Sequence, residues 1–292
     1  MRKYKRVYVT GGYGFIGRNL IKQLEKTGVR ALRSEANLTD FYSVYKEILY
    51  LRPDCVVHCG AVMGTPKCNN AGFYAFDVNV KGTWNVITAA EKVNAKFVYC
   101  SSSAIYAPTA DVITEKSTVN PKTLYPFTKY LGEQVTRFVR PEKALILRLV
   151  FAFGPHDGHS GIWTLIDSGL KRKPAFLLMS KNAFKDYIYI DNLTEAIVEA
   201  LNKDLTGTFN ISYGRPRKLE DVVSLTLDKM RQYNIPLPLD IIFRPDKDYM
   251  FHHQVSNEKF INATDWRPKI SLETGIDLTV RKMRNPHEVS DN

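Results

Sequence analysis

The 292-residue chain has little of what marks several protein classes. It holds 4 cysteines, Cys55, Cys59, Cys68 and Cys100, too few for a disulfide-stapled secreted scaffold and suited to a reducing compartment. Alternation points Cys55 and Cys59 to one face of an apolar strand-like run. No second ligand pair follows at zinc spacing, so buried thiols are expected and no metal. No apolar run reaches the roughly 18–20 residues of a spanning helix, and the best one, 144–153, is broken by Arg148. Residues 1–6 are basic, but the stretch after them is short and Gly-rich where a leader would carry an apolar core. A cytoplasmic protein with no membrane partner is the expectation. With 17 Gly and 14 Pro the chain is neither fibrous nor low-complexity. Acidic residues number 30 against 41 Lys plus Arg, a formal net charge of +11. That excess suits an anionic partner, yet the short groups at 2–6, 171–173 and 215–218 never merge into a tract or a helix face. Nucleic acid is therefore not the expected partner.

What is present is an alternation of strand and helix patterns. Strands are expected at 7–10, 29–32, 55–59, 97–101 and 144–150, with helices at 18–26, 80–93 and 125–139 and Gly28 closing the first helix. Such alternation implies right-handed βαβ units and a parallel sheet covered on both faces, an α/β Rossmann architecture. After Gly154 the pattern loosens. A helix at 162–170, a strand at 185–190, a helix at 192–201, a strand at 208–211 and a helix at 219–233 are expected. Pro236, Pro238, Pro245 and Pro268 mark a looped region beyond them. The reading is a nucleotide-binding domain at 1–154, with segments near 185–212 returning to it, a smaller mixed lobe at 155–284, and a tail at 285–292.

Thr10-Gly11-Gly12-Tyr13-Gly14-Phe15-Ile16-Gly17 follows the first strand and opens the first helix. Unpaired N–H groups at a helix start, here at Phe15 and Ile16, and the helix dipole make this a diphosphate site. Gly11 permits the turn, Gly14 lets the backbone approach the phosphates, and Gly17 lets helix pack on strand. The second strand should present Arg33 and Ser34 at its end, with Glu35 one step on. A forked cation there suits the 2′-phosphate of NADP(H), and an acidic residue suits the ribose hydroxyls of NAD(H); NADP(H) is preferred.

Tyr125 and Lys129 stand at i and i+4, on one face of a helix. A free phenol, with a pKa of about 10, is a poor acid–base at neutral pH, and a lysine beside it would lower that value. Upstream, Ser101-Ser102-Ser103 places hydroxyls where a strand ends, on the side where doubly wound sheets bind ligands.

Taken together, the Gly-rich turn, Ser101-Ser102-Ser103-Ala104-Ile105-Tyr106 and Tyr125-x-x-x-Lys129 resemble the extended short-chain dehydrogenases/reductases, the nucleotide-sugar epimerase/dehydratase superfamily. Weaker matches run downstream at 79–83, 148–155, 185–189, 207–211 and 266–268. The resemblance implies an NAD(P)-binding domain and a lobe for a nucleotide-linked sugar. Ser102 becomes the catalytic serine and Tyr125 the general acid/base. Lys129 tunes Tyr125 and holds the nicotinamide ribose. Asn37-Leu38 matches the pair beside the adenine, and Gly60-Ala61-Val62 the turn after the fourth strand. Relatives often form homodimers through two helices per subunit, here those at 80–93 and 125–139.

Departures from the family pattern narrow the reaction. Dehydratases carry an Asp-Glu pair after the catalytic hydroxyl, where this chain has Ser103-Ala104. Hydride chemistry at a sugar carbon remains: a 4-keto reduction, or a 4-epimerisation with retained cofactor. The stretch 33–40 and Gly154-Pro155-His156-Asp157 are similar to those of the GDP-fucose synthases, which are NADPH-dependent reductases. Ser103, His156, Arg215 and Arg244 are the candidate substrate contacts. A silent NADP-binding regulator is the rival of another class, and the intact Ser102, Tyr125 and Lys129 argue against it.

Overall fold

The structure is a computed structural model that describes residues 3–244 and 253–284. Pro245 and the tail at 285–292 lie outside the described residues. The first half runs β1 (Arg6–Thr10), α1 (Phe15–Lys26), β2 (Arg30–Arg33), α2 (Phe41–Leu51), β3 (Cys55–His58), the short helices α3 (Thr65–Asn70) and α4 (Gly72–Phe76), a π-helical turn at Asp77–Lys81, α5 (Gly82–Lys92), β4 (Lys96–Ser102), α6 (Leu124–Val139) and β5 (Leu145–Leu149). The second half adds β6 (Phe151–Phe153), α7 (Gly161–Leu170), β7 (Ala175–Leu177), β8 (Phe184–Lys185), β9 (Tyr187–Tyr189), α8 (Ile190–Asn202), β10 (Gly207–Ile211), β11 (Arg217–Lys218), α9 (Leu219–Gln232), β12 (Ile241–Phe243), α10 (Glu258–Thr264) and α11 (Leu272–Arg284).

Six strands form one parallel sheet in the order β10-β5-β4-β3-β1-β2, with β2 outermost. The order reverses at β1 and β3, and the crevice beyond the strand ends there is where such sheets take ligands. Alternation along the strands feeds two apolar layers. Val7 and Val9, Cys55 and Val57, and Leu145 and Leu147 pack with Leu20, Leu24, Leu193 and Ile197 of α1 and α8. Tyr8, Val56, Phe97, Tyr99 and Ile146 pack on the other side with Val44, Ile48, Val86 and Ile87 of α2 and α5. Three two-stranded pairs, β6 with β9, β7 with β12 and β8 with β11, lie outside the main sheet.

Arg148, which interrupts the apolar run of β5, is buried and forks onto Glu133 of α6 at 2.9 and 2.8 Å. Glu133 also accepts from Ser101 at 2.6 Å, and Arg148 donates to the Tyr106 hydroxyl at 2.8 Å. Burial alone would raise the Glu133 pKa, but Arg148 and Ser101 hold it below the usual carboxylate range. This network locks α6 onto the ends of β4 and β5.

Several expectations are corrected. The helix expected at 80–93 is a π turn followed by α5. Gly60-Ala61-Val62 follows the third strand of the chain, β3, because the short stretch after β2 leads through α2 with no further strand. The strand expected at 185–190 is split into β8 and β9. Between them the buried Asp186 accepts the N–H groups of Tyr213 and Gly214 at 3.1 and 2.8 Å, and Ile190 already opens α8. Cys59 lies past the end of β3, half-buried, with its Sγ 3.4 Å from Cys100 Sγ. The loop expected beyond Pro236 contains α10 and α11. No helix among the described residues is long and apolar enough to cross a membrane.

Candidate active site

β1 delivers Thr10 to the end of the sheet, where its hydroxyl accepts from Gly60 N at 3.1 Å and meets His58 Nδ1 at 2.7 Å. His58 reaches Thr83 of α5 with its other ring nitrogen at 3.0 Å. Burial and the nearby Lys129 keep the imidazole neutral, with a pKa of about 3. The two turns therefore meet backbone to backbone. Gly11 has φ +65°, and a Cβ there would lie 2.8 Å from Gly60 Cα. A Cβ on Gly17 would overlap the Gly11 carbonyl. At Gly14 the closest atom would be Gly11 O at 3.1 Å, which leaves the space before α1 open.

No side chain caps α1, so the first-turn N–H groups of Phe15 and Ile16 are presented to whatever lies ahead of the helix. Phe15 buries its ring in the core and Ile16 is half-buried. A groove of about 340 Å³ opens here, and of the expected cofactor residues it is lined by Gly11, Ser34, Leu38, Gly60, Ala61 and Val62. Ser34 is buried and donates its hydroxyl to the Tyr8 oxygen at 2.6 Å, while the Tyr8 proton goes to Glu47. Asn37 turns its Oδ1 to Thr39, 3.1 Å from the amide and 3.0 Å from the hydroxyl. That carbonyl serves the turn. Arg33 is exposed, with its guanidinium 4.5 Å from the centre of the Tyr13 ring. An uncapped helix start, a glycine cradle and a long groove fit a dinucleotide.

At the other end of the site, Ser102 closes β4. Its Oγ accepts from Ala104 N at 3.2 Å and shares a hydrogen bond with the Tyr125 hydroxyl from the first turn of α6. Burial lifts the Tyr125 phenol well above its ordinary value. Cys68 and Cys100 add to the rise and the bond to Ser102 opposes it. Lys129, one turn on, is buried with its ammonium 4.3 Å from the centre of the Tyr99 ring. Burial lowers its pKa to about 8, while Cys100, Cys59 and Glu133 work the other way. Lys129 is not among the groups that shift Tyr125 in the structure. Both residues leave one helix face, but the ammonium turns inward to the Tyr99 ring and the Cys59–Cys100 thiols, and burial sets the acidity of the phenol.

The sequence reading missed two residues that build the site. Asn79, buried in the π turn, pairs with both backbone groups of Val62 at 2.7 and 3.0 Å and donates to Thr128 Oγ1 at 2.9 Å. It clamps the Val62 turn to α6 beside Tyr125, as the Thr128 hydroxyl donates to the Tyr125 carbonyl at 2.8 Å. The match at 79–83 marks this stretch in the sequence, but a π turn leaves little local signal of what Asn79 does there. The second is His253, whose Nε2 lies 2.9 Å from Ser103 Oγ, both residues buried. Burial and Lys185 keep His253 neutral, with a pKa of about 3. No sequence signal links residues 150 positions apart.

The other expected substrate residues are less converged. His156 is exposed with φ +58°, and its carbonyl accepts from the Arg18 guanidinium of α1. Arg215 and Arg244 are exposed, and no contact among the described residues ties either to Ser102 or Tyr125. No group of three or more potential metal ligands occurs among the described residues.

Comparison with known proteins places this geometry. The model of the NAD dependent epimerase/dehydratase family matches residues 7–212. The fold is similar to that of UDP-glucose 4-epimerase from Thermotoga maritima with UDP-glucose (TM-score 0.85, 23% identity, 96% of this chain and 99% of that chain). It is similar to UDP-glucose 4-epimerase from Thermus thermophilus in complex with NAD (TM-score 0.83, 24% identity, 96% and 99%). RMD from Pseudomonas aeruginosa complexed with NADPH also matches (TM-score 0.81, 17% identity, 97% and 99%).

Proposed function

Because the chain belongs to the NAD dependent epimerase/dehydratase family, and so is an enzyme, we propose that it reduces a keto group at C4 of a nucleotide-linked sugar, preferring NADPH to NADH. The observation that carries this reading is the placing of the buried Tyr125 phenol, which holds its proton at neutral pH, beside the Ser102 hydroxyl at the end of β4. A reductase needs its acid in that form, because the substrate oxygen gains a proton as the carbonyl becomes an alcohol. Ser102 donates a hydrogen bond to that oxygen and stabilises the charge that develops on it. Tyr125 gives up its proton there. Lys129, largely cationic below its pKa of about 8, is the residue placed to hold the ribose. When bound, the reduced nicotinamide supplies the hydride. Dehydration lacks its acid and base, since Ala104 has neither and Ser103 is paired with a neutral His253.

A second reading, 4-epimerisation with NAD retained, is favoured by the two UDP-glucose 4-epimerases among the similar folds. Stoichiometric NADPH consumption supports the reductase; bound cofactor with no net turnover supports the epimerase. In either case Tyr125→Phe should lower turnover at least about a hundredfold while dinucleotide affinity stays within about threefold. Full activity in that variant would remove the mechanism. The homodimer proposed here joins the α5–α6 faces, where Trp84 and Phe138 stack at 6.2 Å while remaining 43% and 78% exposed.

A further inference from the structure

We infer that Tyr13 decides which dinucleotide this chain accepts, by holding two opposite charges, Arg33 and Glu35, on one ring. The inference rests on the cofactor reading above and extends it to a residue of the Gly-rich turn.

Three observations converge at the outer end of the groove, which is lined by Tyr13, Ser34 and Glu35. First, the Arg33 guanidinium lies 4.5 Å from the centre of the Tyr13 ring. Its stem crosses the turn so closely that a Cβ on Gly12 would come within 2.6 Å of Arg33 Cγ. Second, the Tyr13 hydroxyl donates to Glu35 Oε1 at 2.5 Å. Third, the backbone beneath is held from behind: Glu47 accepts from Glu35 N at 3.0 Å and from the Tyr8 hydroxyl at 3.0 Å, and the Ser34 hydroxyl donates in turn to the Tyr8 oxygen at 2.6 Å. Ser34 and the Glu35 main chain are thus fixed, and the Glu35 carboxylate is the group left to be steered.

The electrostatics make that steering consequential. A 2′-phosphate carries nearly two negative charges at neutral pH, so a free carboxylate beside it repels it, whereas a guanidinium forks onto it. A 2′-hydroxyl reverses the preference, because the carboxylate accepts its hydrogen bond. In the observed arrangement the phenol occupies the carboxylate and the ring carries the guanidinium, the state that suits a 2′-phosphate. Tyr13 is 63% exposed, so changing it leaves the core untouched.

The test is equilibrium binding of NADPH and NADH, without substrate, to the full chain. The wild type should prefer NADPH. Tyr13→Phe keeps the platform for Arg33 but frees Glu35, and should cut the NADPH-to-NADH preference about tenfold, the worth of a hydrogen bond to a charged group. Adding Glu35→Gln to Tyr13→Phe should restore the preference, because nothing then remains to repel the phosphate. Tyr13→Leu should weaken NADPH further by releasing Arg33. A preference within about twofold of wild type in Tyr13→Phe, the same shift when Glu35 is already Gln, or a wild-type preference for NADH would each overturn the inference. Binding of neither dinucleotide by the wild type would remove the cofactor reading itself, a failure distinct from the first two.

Discussion

The hydroxyl of Tyr99 occupies the notch that Gly132 leaves on α6, and the Lys129 ammonium rests on the face of the same ring. A strand residue thereby positions a helix residue of the proposed active site. Gly132→Ala would drive a methyl group into the Tyr99 hydroxyl. Overpacking of this kind costs about 1–3 kcal/mol, so the melting temperature should fall by several degrees and dinucleotide affinity with it. Tyr99→Phe in the Gly132→Ala background should recover part of the melting temperature, because it removes the nearer of the two clashing atoms and leaves only the ring carbon.

The lowered pKa of Lys129 also predicts a pH dependence of stability. Its ordinary value is 10.5, and in the folded chain it is about 8. Between these values the unfolded chain holds the proton and the folded chain does not, so stability rises with pH across that window. Below about pH 8 the full penalty of a buried cation applies. Lys129→Met should therefore melt several degrees higher than wild type at pH 7 while losing turnover. The advantage should vanish as pH is raised from 8 towards 10.5. A gap that stays constant with pH in paired thermal melts would contradict this.

Gly17 and Gly14 sit three residues apart in one turn and should fail differently. A methyl group on Gly17 overlaps the Gly11 carbonyl, so Gly17→Ala should lower the melting temperature markedly. At Gly14 the nearest atom stands 3.1 Å away and φ is −72°, so Gly14→Ala should fold with a melting temperature near wild type. It should nonetheless bind dinucleotide at least about tenfold more weakly, because its methyl group enters the space before α1. Thermal melts with and without cofactor separate the two effects.

The exposed Trp84 and Phe138 pair predicts the outcome for assembly. Trp84→Glu with Phe138→Glu should convert a dimer into a monomer by light scattering, with thermal stability of the isolated subunit little changed. A wild-type chain that is monomeric at all concentrations would remove the dimer proposal.

The parts of the fold legible in the sequence are those set by neighbouring residues. The turn from Thr10 to Gly17 was legible because strand, glycines and helix start lie within one short stretch. β3 and β5 were legible as short, largely apolar runs, interrupted only by His58 and Arg148 and buried along their whole length. By contrast, α2 hid its periodicity: only Val44 and Ile48 are buried, while Tyr42 and Tyr50 are 71% and 86% exposed. α11 carries an apolar pattern in Leu272, Ile276, Val280 and Met283, all on its buried face, but Pro236, Pro238, Pro245 and Pro268 before it are also the signature of a loop. The pairing of Ser103 with His253 and the shared ring of Tyr13 arise only when distant segments meet, so no window along the chain contains them. Lys129 was found by spacing, yet its direction was set by Tyr99 from another element.

The outermost position of β2 has one more consequence. A terminal strand leaves a row of main-chain donors and acceptors without partners, a template on which a second molecule can add. Here that rim carries two exposed arginines, Arg30 and Arg33, whose charge discourages such stacking. The side chain proposed to read a 2′-phosphate thus also guards this rim against stacking. Retuning cofactor choice through an apolar replacement of Arg33 would cost solubility, whereas a change at Tyr13 would leave the guard in place.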